Sequence, residues 1–348
     1  MTPHHSSKRR RLAAAAVAGA MLFASGATAQ ERNLALGSVS STSGVYPFAV
    51  AIAAVITDAD NGLNVTTVEG GGGFDHARLM RQGVVDFSVS GSPAVVSAVT
   101  SGTGAFETDG AWDAPRLMFM RNVNVTRIYV RQDHAARDGI ATWADLAGKT
   151  AVPGVPGTRD MDRIMEANDL LGTGIMMLPA SLDDANSRLA EGRVAAVAKG
   201  SPNDRFDPAM QALHFSTPLT VIGFTEEEAA KIAAADQLNT FIATPAGGVR
   251  EVPEAGPMME MSSPVMVMSS SNLPQDVGYA MAAAVVEGWG TIGEAFPAAA
   301  AVHPIRDILS QIPDIDGLYL HAGVVQYALA NGFDVPERLI PPEFVPAN

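Results

Sequence analysis

Five strand-like runs in this chain each give way to a short loop of small, polar, glycine-containing residues, and a helical run follows. The loops read SSTSG (40–44), GGGG (70–73), SGSP (90–93), GVPGT (154–158) and KGSP (199–202). Strands alternating with helices at this spacing predict α/β units built on parallel sheets. Ligands of such sheets sit beyond the carboxyl ends of the strands. Helix N-termini there carry unpaired N–H groups and the positive end of the helix dipole. They bind carboxylate or phosphate without any charged side chain. Glycine allows backbone to approach the ligand closely. One hydroxyl caps a helix, but the first loop supplies four, a surplus that points to an external ligand.

The flanking elements are legible. Val45, Phe48, Ala49, Ile52, Ala53 and Ile56 fall on one apolar helical face, and Pro47 suits the first turn. Ser181 with Asp184, and Thr225 with Glu228, have capping-box spacing. The run RIYVR (127–131) reads as a strand, and the methionine-rich 256–270 as strand core near a crossover. Asp86 is expected to cap the turn at Gly83, and His76 to be structural.

The first 29 residues stand apart. Lys8 and Arg9–Arg11 precede an apolar run to Phe23 and the small-residue site Ala27-Thr28-Ala29. This predicts a signal peptide cut after Ala29, with the Sec and twin-arginine routes both open. The segment is too short for a membrane span, and no other run is long enough. Removing its four basic residues takes the net charge from −14 to −18, which argues against nucleic-acid binding. The sequence has no cysteine, so disulfides, zinc–thiolate sites, a cysteine nucleophile and a lipid anchor on cysteine are excluded. Export without an anchor predicts a free periplasmic protein. The remaining 319 residues exceed what one core usually holds, so two domains are expected.

Tempting motifs lack their context. GWGTIG (288–293) has dinucleotide-loop spacing but follows a helical run rather than a strand. AGKT (147–150) has Trp143 where the leading glycine of a phosphate loop belongs. The histidines show no metal-ligand spacing, and no G-x-S-x-G elbow occurs. No catalysis, cofactor or metal is therefore expected.

Taken in order, SVSSTSGVYPFAVAIAAVI, VEGGGGFDHARLMRQGVVDFSV, WADLAGKTAVPGVPGT, KGSPND, SSSNLPQDVGYAM and LYLHAGVVQYALANG resemble the TAXI-type solute receptors of TRAP transporters. The resemblance implies a type II periplasmic binding protein of α/β class, two lobes of mixed sheet flanked by helices with a ligand cleft between them. Lobe I would take residues 30–124 and 246–348, and lobe II residues 125–245. The implied ligand is a small carboxylate: an amino acid such as glutamate, a dicarboxylate or a 2-oxo acid. The implied partner is a TRAP-type integral membrane permease, and the receptor is expected to be a monomer.

Position by position, the resemblance places ligand contacts at Ser41, Ser43, Gly44 and Tyr46, at Gly72, Gly73 and Phe74, at Ser90 and Ser92, at Gly157, Thr158 and Arg159, and at Ser201. Arg159 opposes the dipole at its helix start, which favours a clamp on a carboxylate. There are departures. Gly73 stands where the family commonly has serine. Gly91-Ser92-Pro93 replaces a Gln-Ser-Asp run, removing a carboxylate that would meet a ligand's ammonium. Two other readings remain open: an exported hydrolase-like enzyme using Ser41 or Ser43, and a ligand-bound sensor for a membrane kinase.

Overall fold

A computed structural model describes residues 32–41, 43–156 and 158–347. The expected signal peptide and Gly157 lie outside them.

The chain enters through β1 (Arg32–Ser38), α1 (Tyr46–Asp58), β2 (Leu63–Glu69), α2 (Gly73–Arg81), β3 (Phe87–Gly91) and α3 (Pro93–Ser101). A long strand, β4 (Pro115–Arg131), then carries it into a second set of elements. These are α4 (Gln132–Asp138), β5 (Thr150–Val152), α5 (Arg159–Leu171), β6 (Met176–Met177), α6 (Leu182–Ala190), β7 (Ala196–Pro202), α7 (Pro208–Ser216), β8 (Leu219–Ile222) and β9 (Thr240–Thr244). The strand β10 (Met258–Ser270) leads back, and the C-terminal helices cover the first set.

Two strands make the connection. β4 pairs with β10 over Pro115–Asn124, and with β7 from Asn124 onward. β10 pairs with β9 over Met258–Ser262, and with β3 over Met266–Ser269. The two halves therefore share one strand order, β2-β1-β3-β10-β4 in the first and β6-β5-β7-β4-β8 in the second. Each half interposes a strand arriving from the other, as expected for the mixed two-lobed α/β fold.

Each half has its own core. One is built on Leu36, Phe48, Phe87 and Met120, with Met266, Val285 and Val324 from the returning chain. The second half holds one cluster around Ile128, Trp143 and Ile222 on one side of its sheet residues, and another around Tyr129, Phe206 and Val252. Val249, Val252, Ala255 and Met261 pack with the second half. On this packing we place the return to lobe I within β10 near Ser262–Pro264, later than the boundary near 246.

Local expectations meet their tertiary setting here. α1 buries Phe48, Ala49, Ile52, Ala53 and Ile56 along the apolar face read from the sequence. Ser181 accepts from the Asp184 N–H, and Thr225 and Glu228 close a reciprocal box. The strand read over 127–131 is the last third of β4. Its earlier part, like 127–130, is buried on both faces and shows no alternation. Asp86 does not cap the Gly83 turn: its carboxylate accepts the Ala35 N–H at 2.8 Å, tying β3 to β1.

Candidate functional site

Between the lobes lies a cavity of about 650 Å³. Its rim comes from the ends of three loops predicted to carry ligand contacts. Ser43 and Gly44 belong to the β1–α1 loop, Gly154, Val155 and Thr158 to the β5–α5 loop, and Lys199–Pro202 to the end of β7. Arg121 and Asn124 of β4 form part of the wall, as do Phe296 and Pro297 from the C-terminal region. The apolar remainder includes Val152, Leu182, Ala185 and Phe206.

Of the residues expected to touch ligand, the structure gathers Ser43, Gly44, Thr158 and Ser201 here. Thr158 caps α5, accepting the Met161 N–H and donating its own O–H to Val155 O at 2.7 Å. Ser201 is buried, with its hydroxyl 2.6 Å from Tyr129 Oη. Burial pushes the Tyr129 phenol up to about 12, so it stays protonated and available to this bond.

The others lie elsewhere. Ser41 donates its N–H to the Glu69 carboxylate at 2.5 Å. Tyr46 opens α1, half-buried. Gly72 donates its N–H to Asp75 at 3.2 Å, Phe74 packs beside Phe106, and Ser90 donates its N–H to Ser88 Oγ. Ser92 caps α3 by accepting the Val95 N–H. Arg159 reaches Glu166 at 3.0 Å and Asp236 at 3.1 Å, outside the lining of the cavity.

Gly73 is held by a close approach. A Cβ there would lie 2.4 Å from Ser90 O and 2.9 Å from Val95. The serine common in TAXI receptors therefore does not fit this backbone. Gly73→Ala is expected to destabilise by about 1–3 kcal/mol through overpacking. Urea unfolding reads this directly, and an unchanged midpoint would show that the β3–α3 loop yields freely.

Arg121 was not singled out in the sequence, and it is the residue that distinguishes this cavity. It is 4% exposed. Its Nε donates to Asn122 Oδ1 at 2.7 Å and its Nη1 to Val89 O at 3.0 Å. Its Cζ lies 5.8 Å from the ring centroids of both Phe48 and Phe296. Among the described residues no carboxylate pairs with it, and its Nη2 makes no hydrogen bond. Burial pulls its pKa down to about 9, which leaves it charged at neutral pH. A buried cation without an anion is costly unless something supplies one. The clue in the sequence was an arginine inside the apolar run LMFMRNVNV.

Apart from Asp160, the other charges at the cavity form ion pairs. Lys199 pairs with Asp207 at 3.1 Å, and Arg205 with Asp204 at 3.0 Å. Asp160, at the start of α5, accepts the Thr126 hydroxyl at 2.5 Å through Oδ1. Its Oδ2 lies where a Cβ on Gly200 would be, 2.6 Å away, so the glycine makes room for the carboxylate. The cavity thus presents one unpaired guanidinium and one carboxylate among apolar walls.

His76 is structural, as expected. Its Nδ1 lies 2.7 Å from Ser88 Oγ and its Nε2 2.7 Å from Gly70 O, and the ring is fully buried. Burial lowers its pKa, so the ring is neutral, with Nε2 donating and Nδ1 accepting.

Residues 36–328 match the NMT1-like family. The chain belongs to that family. No curated protein matches it by sequence. Solved structures similar to this NMT1-like chain include the XAC2383 protein of Xanthomonas citri bound to ATP, at 10% identity and TM-score 0.48, covering 76% of this chain and 88% of the other. Another is the probable amino-acid ABC transporter extracellular-binding protein YtmK of Bacillus subtilis, at 12% and 0.48, covering 78% and 97%. A third is the GluR0 ligand-binding core of Nostoc punctiforme in complex with L-glutamate, at 12% and 0.43, covering 76% and 98%. The ligands named are those of the other proteins. Among the described residues of this family member, no helix is long and apolar enough to cross a membrane.

Proposed function

We propose that this chain is an exported, periplasmic solute receptor that closes its lobes on a small amino acid and presents it to a membrane permease. The observation that carries the reading is Arg121, a guanidinium buried at the cleft with no carboxylate partner among the described residues. A ligand carboxylate would supply the missing anion through charge-assisted hydrogen bonds. Asp160 supports the amino acid over the dicarboxylates and oxo acids. It is the acceptor for an ammonium, and it would repel a second carboxylate. This restores the function that the Gly91-Ser92-Pro93 departure removed, from a different lobe. The walls of Val152, Leu182, Ala185 and Phe206 favour an apolar side chain. A volume of about 650 Å³ falls within the usual range for small-ligand sites.

The permease of TRAP type is proposed on the sequence resemblance to TAXI receptors, and closure on the two crossing strands, which provide a hinge. A thermal-shift screen of the mature protein against amino acids, dicarboxylates and 2-oxo acids tests the reading. A ligand that binds only the folded state stabilises by about 2.7 kcal/mol at a hundred times its Kd. Apolar amino acids should give the largest shifts. Asp160→Asn should weaken the best amino acid while sparing its 2-oxo analogue. Equal losses for both would remove Asp160 as the ammonium partner, and no shift with any acid would overturn the receptor reading.

A further inference from the structure

A second, much smaller cavity of about 20 Å³ lies between the lobes, and it shares no lining residue with the first. Lobe I contributes Ser92, Pro93 and Ala94 at the start of α3, with Gln311 and Pro313. Lobe II contributes Arg159, Arg163, Leu238 and Thr240, and β10 adds Ser262–Pro264.

Arg163 is 2% exposed. Its Nε donates to Asn239 Oδ1 at 3.1 Å and its Nη2 to Thr240 O at 3.2 Å, both neutral acceptors. Among the described residues no carboxylate forms an ion pair with it. Burial lowers its pKa to about 10, so it stays charged. Arg159 spends its two Nη groups on Glu166 and Asp236, while its Nε is buried with no partner. Those carboxylates are 49% and 38% exposed, so water screens them. Asp160 and Asp162 also belong to this helix start. Asp160 accepts the Thr126 hydroxyl and acts on Arg163 through its charge without forming an ion pair with it, and burial raises the pKa of Asp162, disfavouring its charged form. Opposite, Pro93 has no N–H and Ser92 takes that of Val95, leaving the Ala94 N–H with no partner among the described residues.

We propose that this cavity is a binding site for a single monatomic anion such as chloride, held by Arg163 and the Arg159 Nε from lobe II and by the Ala94 N–H from lobe I. A volume of about 20 Å³ has room for one water-sized particle, the size of a monatomic anion. Guanidinium groups and a helix N-terminus supply the donors such an ion requires. Because both lobes line the site, an ion there binds the closed arrangement in preference to an open one and shifts the population toward it. The site stands independently of what the larger cleft binds.

Crystals of the mature protein soaked in sodium bromide test the site directly. An anomalous peak within hydrogen-bonding distance of Arg163 is expected, and no peak, or water at full occupancy, would overturn the proposal. In solution, sodium chloride should raise Tm saturably by about 2–4 °C over sodium gluconate, a much bulkier anion, at equal ionic strength. Arg163→Gln should abolish that difference. If it fails to fold, Arg159→Gln, which removes the Nε donor, two ion pairs and a 3.4 Å bond to Asn239 Oδ1, should reduce it. Identical curves in the two salts would count against the site.

Discussion

Arg121→Met is expected to bind the proposed amino-acid ligand about 30-fold to a few thousand-fold more weakly than the natural protein, while its ligand-free form keeps most of its stability. The two effects differ in size for one reason. In the ligand-free protein the guanidinium is buried beside Phe48 and Phe296 with only Asn122 Oδ1 and Val89 O as acceptors. Methionine keeps the apolar stem against both rings and removes a desolvated charge, so folding loses little. Binding loses the charge-assisted contact to the ligand carboxylate, and truncating one partner of such a buried pair costs about 2–5 kcal/mol. Titration calorimetry with the amino acid giving the largest thermal shift, beside urea unfolding of the ligand-free protein, measures both. Undiminished affinity would remove Arg121 from the site. Lost affinity accompanied by lost stability would make the arginine a structural residue.

Glu260→Gln is expected to destabilise the protein by about 3–5 kcal/mol. Arg127 and Glu260 are 0% and 1% exposed and meet through two bonds, Nε–Oε1 at 2.8 Å and Nη2–Oε2 at 3.0 Å. Thr244 donates to the same carboxylate at 2.5 Å. Neutralising the glutamate leaves a buried guanidinium uncompensated. The double variant Arg127→Met, Glu260→Met should recover much of the loss, because a well-packed apolar pair often equals a buried ion pair. Affinity separates the two positions further. Arg127 also donates to Arg205 O at 2.5 Å and Asn203 O at 2.9 Å, holding the loop that places Arg205 and Phe206 at the cleft. Arg127→Met should therefore weaken ligand binding more than Glu260→Gln does. Urea unfolding and calorimetry on the three variants decide this, and a double variant no better than the singles would refute the compensation.

Alternation of strand and helix, the apolar face of α1, the caps at Ser181 and Thr225, and the placing of glycine-rich loops after strands were all legible in the sequence. Each depends on residues within a turn or two of one another, so periodicity and capping chemistry are sufficient. The first half of β4 was not: it carries no alternation, its Met and Asn residues are weaker strand formers than the Ile, Tyr and Val of 127–131, and its Arg121 gave no helix or turn signal.

Lateral position was the part that local pattern could not reach. Five loops were read as one anion pocket. The loops after β1 and β5 line the large cavity with residues 199–202, which are the paired end of strand β7 rather than the loop expected, while the β3–α3 loop lines the small one with Arg159. The β2–α2 loop lines neither. Which loops meet is decided by how β4 and β10 cross between the sheets, a relation among residues more than a hundred positions apart. The same crossing brings Arg121 of the first lobe and Asp160 of the second to one cavity. The amino-acid sequence alone therefore determined an α/β chain of strand-end loops suited to an anion. Tertiary packing decided which charge goes without a partner at the cleft, because burial and distance, not residue type, set the cost of leaving it so.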